Sequence, residues 1–129
     1  MKTLILNIKN MVCPRCILVV QNELEELGAL ISTIRLGYVA IQVPDNLSKE
    51  KIASRLNPYG FELIEDKEEI LMERIKLGIQ HYIEILEKST KELMLSDFLS
   101  HEIGKNYNFI SKHFSKNEGI TIETYYINK

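Results

Sequence analysis

The spacing of apolar residues changes character near residue 66, and that change limits the chain to two kinds of structure in series. Before it, short alternating runs are separated by helical stretches; after it, apolar residues recur mainly at helical spacing. Leu4, Leu6 and Ile8 alternate with Ile5, Asn7 and Lys9, the period-two pattern of a strand over residues 3–9. Residues 14–27 predict a helix with Ile17, Val20, Leu24 and Leu27 on one face, ended by Gly28. Residues 31–35 and 38–43 predict two strands around a Leu36-Gly37 hairpin turn. Ser48 is a suitable N-cap for a helix over residues 49–57, which Asn57-Pro58-Tyr59-Gly60 stops. Residues 61–65 predict a last strand. The order βαββαβ predicts a ferredoxin-like, split βαβ domain over residues 1–66.

Residues 67–90 carry Leu71, Ile75, Ile79, Tyr82, Ile83 and Leu86 at helical spacing, with Glu73, Lys76, Glu84, Glu87 and Lys88 between them. They predict a long amphipathic linker helix. Two uses are open: a connector packed on its neighbours, or a helix through which the chain forms a homodimer. Residues 91–129 predict two short helices about a Gly104-Lys105-Asn106 turn. Ser96 and Asp97 can open the first, whose apolar face is Leu95, Phe98, Leu99 and Ile103. Asn106 can cap the second, which turns Phe109, Ile110, His113 and Phe114 inward before Gly119 ends it. Ile120 onward starts a further helical or extended segment. The fold class is therefore α+β: a ferredoxin-like domain, a linker helix and an all-α helix-turn-helix unit. A segment of about 40 residues makes a thin core alone, so the last unit is expected to lean on residues 67–90 or on a second chain.

The formal net charge of −2 does not mark the whole chain as a polyanion binder. Locally the balance differs. Between Lys105 and Asn117 lie Lys105, Lys112 and Lys116, with no Asp or Glu. A positive helix after a glycine-bearing turn suits phosphate contact and entry into the major groove, although three lysines on a helix are also an ordinary solvated face. Leu99-Ser100, Ile103-Gly104, Asn106, Ile110-Ser111, Phe114, Gly119 and Tyr125 resemble the first helix-turn-helix of the AraC-type transcription regulators. The resemblance implies DNA as partner, with Asn108, Ser111 and Lys112 at base-contacting positions. Tyr107 and Lys116 complete the expected DNA-binding set. Regulators of that type carry two helix-turn-helices, and residues 1–129 hold one. The chain is therefore expected to be a fragment that binds DNA weakly.

The only cysteines, Cys13 and Cys16, lie between the first strand and the first helix. In a reducing compartment such a pair suggests a metal or redox site, not a structural staple. Met11-Val12-Cys13-Pro14-Arg15-Cys16, with Gly60-Phe61 further on, resembles the heavy-metal-associated domain of copper chaperones and copper-pumping ATPases. The resemblance implies Cys13 and Cys16 as thiolate ligands of a soft ion, copper(I) first. Asn10 departs from the family's usual Gly, and Pro14 is atypical. Zinc fits less well, because a structural site wants four ligands and His81, His101 and His113 lie far along the chain. Two chains together could supply four thiolates. Cys-Pro-Arg-Cys also resembles the Cys-Pro-x-Cys of thioredoxin-like proteins, but residues 1–66 lack that fold's additional elements. A thiol pair in a merely structural domain is the third reading.

No catalytic constellation exists beyond the two thiols, so the chain is read as a non-enzyme. No segment suits a membrane span or a cleaved leader, so no membrane is involved and a cytoplasmic site is expected. Joined, these expectations describe a transcription regulator with a metal- or redox-sensing front domain. The alternative is a copper(I)-binding, metallochaperone-like or thiol redox protein. Nothing in the residues specifies the operator, the inducer, or activation against repression.

Overall fold

A computed structural model describes residues 1–88 and 93–128. Residues 89–90 of the expected long helix, residues 91–92 of the expected last segment, and Lys129 lie outside the described residues. The chain divides into two compact units, Met1–Asp66 and Lys67–Lys129.

The first unit is built from β1 (Lys2–Lys9), α1 (Pro14–Glu26), β2 (Leu30–Arg35), β3 (Tyr38–Val43), α2 (Lys49–Leu56) and β4 (Glu62–Ile64). The strands form one antiparallel sheet in the order β2-β3-β1-β4. Leu4 stands opposite Ile41 and Leu6 opposite Val39, so the alternating apolar residues share one face. β2 breaks that alternation, because Ile31 and Ile34 are three residues apart. The register shifts between Ile31 and Thr33, which lets Ile31 face Ile41 and Ile34 face Val39. This β-bulge returns both isoleucines to the core side. Val20 and Leu24 of α1 and Ile52 and Leu56 of α2 are buried in one cluster with Leu6, Ile8, Val39, Ile41 and Val43.

The expected element order is found, with several ends shifted by one residue. The last strand is shorter than residues 61–65, because a 3-10 turn over Asn57–Tyr59 and a left-handed Gly60 (φ 87°) precede it. Ser48 caps α2 as expected, its Oγ accepting from the Lys51 N–H at 3.2 Å. A polar clamp joins α1 to the end of α2. Arg55 Nε donates to Glu23 Oε2 at 2.5 Å, and the Tyr59 hydroxyl donates to Glu23 Oε1 at 2.5 Å. Arg55 also pairs with Glu26. The Tyr59 hydroxyl and then the Arg55 guanidinium hold the Glu23 carboxyl below its usual range.

The second unit holds α3 (Lys67–Lys88), α4 (Leu95–Ile103), α5 (Tyr107–Glu118) and α6 (Ile122–Ile127). The segment from Ile120 thus resolves as a helix, capped by Thr121. α4 begins at Leu95 with Met94 as its N-cap, so Ser96 and Asp97 lie inside the first turn instead of opening it. There the Asp97 carboxylate still complements the helix N-terminus. Gly104 ends α4 in the left-handed conformation (φ 80°), and Asn106 Oδ1 accepts from the Phe109 N–H at 2.9 Å to start α5. The Ser100 hydroxyl donates to the Lys105 carbonyl at 2.7 Å and holds the turn to α4.

Residues 67–88 are not an isolated spacer: Met72, Ile75 and Ile79 share a buried cluster with Leu99, Ile103, Ile110, Phe114 and Ile122. α3 thereby covers the apolar side of the α4–α5 pair, with Leu71 and Ile83 partly buried at its edge. Polar ties run alongside. His81 Nδ1 lies 3.1 Å from Glu102, His113 Nδ1 lies 3.2 Å from Glu68, and Lys76 Nζ lies 2.7 Å from Glu118. Among the described residues, no helix is long and apolar enough to cross a membrane.

Gly78 is the point of closest approach. It is buried on α3, and a Cβ there would stand 2.9 Å from Leu99 Cδ2. Leu99 is fully buried and has little freedom to yield. Alanine has the better helix propensity, yet overpacking in a filled core costs about 1–3 kcal/mol. Gly78→Ala is therefore expected to lower the thermal midpoint of the second unit. In a Leu99→Ala background the same substitution should become neutral or stabilising, which a double-mutant cycle reads directly.

Candidate metal centre

The loop between β1 and α1 is held at two places before it reaches its thiols. Asn10 adopts φ 72°, and it is the non-glycine residue with positive φ among the described residues. Glycine enters that region freely, and Asn does so more readily than most residues. The departure from the resembled family's Gly is thus compatible with the same backbone path. The Asn10 side-chain amide donates to the Gly60 carbonyl at 3.0 Å. Met11 then turns into the core, fully buried, and its Sδ accepts from the Gly37 N–H at 3.3 Å. The Ile8 N–H donates to the Gly37 carbonyl at 3.0 Å, so the turn between β2 and β3 holds both the end of β1 and the loop that follows it.

Cys13 is the N-cap of α1, with extended backbone (φ −142°, ψ 162°). Pro14 at the start of the helix favours that conformation, because a residue before proline is driven out of the helical region. It also occupies a position whose N–H would have no helical partner. The Cys13 sulfur makes no capping bond. It lies instead 3.2 Å from Cys16 Sγ, while the Cys16 N–H donates to the Cys13 carbonyl at 2.9 Å. Both cysteines are free thiols and half-buried. The hydrogen bond from the Cys16 thiol holds the Cys13 thiol below its usual value. The Cys16 and Arg15 backbone N–H groups and the Arg15 charge add to that shift, against a smaller opposing effect of burial. A thiol that deprotonates readily is the form that binds soft ions and attacks disulfides. Val12 (42 % exposed) and Arg15, adjacent to the two cysteines in sequence, are exposed.

The donor set is small. The Met11 thioether is taken by Gly37. Among the described residues, no group of three or more His, Cys, Asp or Glu side chains could hold a metal ion. His81, His101 and His113 all lie in the second unit, two of them beside carboxylates. Within one chain the thiol pair offers two soft ligands, which suits copper(I) and not a tetrahedral zinc.

The residues expected to meet DNA lie on α5. Asn108, Lys112 and Lys116 are exposed and four residues apart, hence on one helix face. Ser111 is half-buried beside them. Tyr107 points elsewhere: it is half-buried, and its hydroxyl donates to Glu123 Oε1 at 2.6 Å. Burial and then that carboxylate push its hydroxyl above the usual value. Lys105 Nζ stands 5.6 Å from the centre of the Phe109 ring. Gly37 and Gly60, read from the sequence as a hairpin turn and as a Gly-aromatic step, also build the thiol site, and both do so through backbone atoms. An Asn at a position suited to Gly was the available signal for the left-handed turn.

No protein-family model matches the chain, and no curated protein matches it. A solved structure described as "CopZ metallochaperone" aligns with 49% of this chain and 100% of its own, at 20% sequence identity and a TM-score of 0.43. The fold described above stands on the strand order and register of this chain itself.

The depressed Cys13 value has a measurable sign. Its folded-state value lies below the unfolded one, so folding favours the thiolate. That contribution to stability is present above the unfolded value and is lost as pH falls through the folded one. Alkylation of Cys13, followed site by site by mass spectrometry, should therefore accelerate at a lower pH in the native protein than in urea. Coincident profiles in the two states would contradict the assignment.

Proposed function

We propose that this chain binds a soft metal ion, copper(I) first, through the thiolates of Cys13 and Cys16, in the manner of a metallochaperone-like protein. One observation carries the reading. Two free thiol sulfurs, both half-buried, lie 3.2 Å apart, and the bond from Cys16 holds the Cys13 thiol below its usual value. Thiolates are soft, polarisable ligands, and a set of two favours an ion content with low coordination. The Met11 side chain serves the loop and not the ion, because its sulfur is engaged by the Gly37 N–H. Arg15 adds a positive charge that offsets the charge of two thiolates. The ion is cargo on this reading, and its exchange needs ligands that can be reached from solvent. Both cysteines are half-buried, which leaves part of each side chain open to solvent. Reduced protein should take up an equimolar amount of copper(I) in competition with a chromophoric chelator. Cys13→Ser and Cys16→Ser should each abolish competitive uptake. Failure of the wild-type chain to take up copper(I) would remove the reading and leave thiol redox exchange as the rival for the pair.

A second reading concerns the second unit. The α5 face of Asn108, Lys112 and Lys116 follows a tight turn and carries positive charge without a carboxylate between Lys105 and Asn117. This supports contact with duplex DNA, as part of a regulator whose front unit senses the ion. Tyr107, half-buried with its hydroxyl bound to Glu123, packs α5 against α6 and is less accessible to DNA than Asn108, Lys112 and Lys116. Affinity for duplex DNA should fall steeply with salt as counterions are released, and Lys112→Ala should lower the salt slope by about 1. An Asn108→Ala/Lys112→Ala variant that binds as the wild type does would exclude α5 as the contacting helix.

A further inference from the structure

We infer that Asn10 is a positioning residue that sets the affinity of the Cys13–Cys16 pair for its ion, by tying the thiol loop to the carbonyl of Gly60. The inference rests on the metal-binding reading above. Its observations are geometric. Asn10 ends β1 in the left-handed region at φ 72°, which turns the chain toward the thiols. Its side-chain amide then reaches across fifty residues of sequence to the Gly60 carbonyl at 3.0 Å. Gly60 is itself held in place: it closes the 3-10 turn of Asn57–Tyr59, and its N–H donates to the Asn57 carbonyl at 2.9 Å. The tether thus joins the thiol loop to the connection between α2 and β4.

The loop has another anchor, and the two act on different atoms. Met11 holds the loop by a buried side chain against the β2–β3 turn. Asn10 holds the loop from the opposite connection, through its side-chain bond to the Gly60 carbonyl. An ion held by two sulfurs on one loop gains affinity when the loop is already ordered before the ion arrives. A residue that holds a ligand's backbone alters affinity without touching the metal. The Asn10 amide is exposed, so its hydrogen bond contributes only modestly to folding. Its effect should appear at the site more than in overall stability.

Two substitutions separate the roles of the backbone angle and the tether. Asn10→Gly keeps the left-handed angle and removes the amide. Asn10→Asp also tolerates that angle but presents an oxygen to the Gly60 carbonyl. The full chain and both variants are titrated with copper(I) against the same chelator, and the metal-free forms are melted in parallel. Both variants should bind on the order of tenfold more weakly, with faster loss of copper(I) to excess chelator. The metal-free midpoint of Asn10→Gly should move by less than about 4 °C. If the wild-type chain binds and Asn10→Gly matches it, the inference is overturned while the metal reading stands. If affinity and metal-free stability fall together, Asn10 is a folding residue and the inference is again overturned. If the wild-type chain takes up no copper(I), the metal reading fails and this inference falls with it.

Discussion

The burial of Met11 decides where the two thiols can be. A fully buried side chain two residues before Cys13 fixes one end of the loop to the core. The Gly37 N–H on its sulfur ties that end to the hairpin between β2 and β3. From there the chain has little choice. Val12 emerges to solvent, Cys13 is extended ahead of Pro14, and the first turn of α1 brings Cys16 back to within 3.2 Å of it. The pair is close because a helix places residues three apart on the same side. Its location at the sheet's end follows from where Met11 is buried.

The second unit answers a different constraint. Two short helices and a turn enclose too little apolar surface to hold themselves together. α3 supplies the missing side of the core with Met72, Ile75 and Ile79, and Gly78 lets it approach Leu99 closely. Part of the stripe on residues 67–88 is thereby buried within its own unit. Each unit has its own buried cluster. The thiol pair belongs to the first of these units and the α5 lysines to the second.

Much of this architecture was legible because it is local. Period two marked β1 and β3, and capping chemistry at Ser48, Gly104 and Asn106 marked helix ends. Such signals depend on a few neighbouring residues, which is why they can be read without a fold. The failures have the same explanation in reverse. Ser96 and Asp97 looked like helix starters, yet α4 begins at Leu95 because Leu99 and Ile103 set its packing. Ile31 and Ile34 spoil the alternation of β2 until a bulge, defined only by pairing with β3, restores it. At the site, the two thiols and the buried methionine were visible as a spaced motif. Gly60 stood out only as a Gly-aromatic step and Gly37 only as a turn, since their ties to the loop are made by a carbonyl and an N–H that carry no residue-specific signature.

By itself the sequence determined most of the strands and helices, where a thiol pair stands, and which stretch, Lys105 to Asn117, bears lysines without acids. Those are matters of periodicity, spacing and composition. Only the tertiary structure decided that Met11 serves the core and Gly37, that Tyr107 faces Glu123, that α3 completes the helical core, and that Asn10 reaches Gly60. The reason is physical. Each of these is a contact between residues distant along the chain, and its existence depends on how the elements pack, which no local pattern encodes.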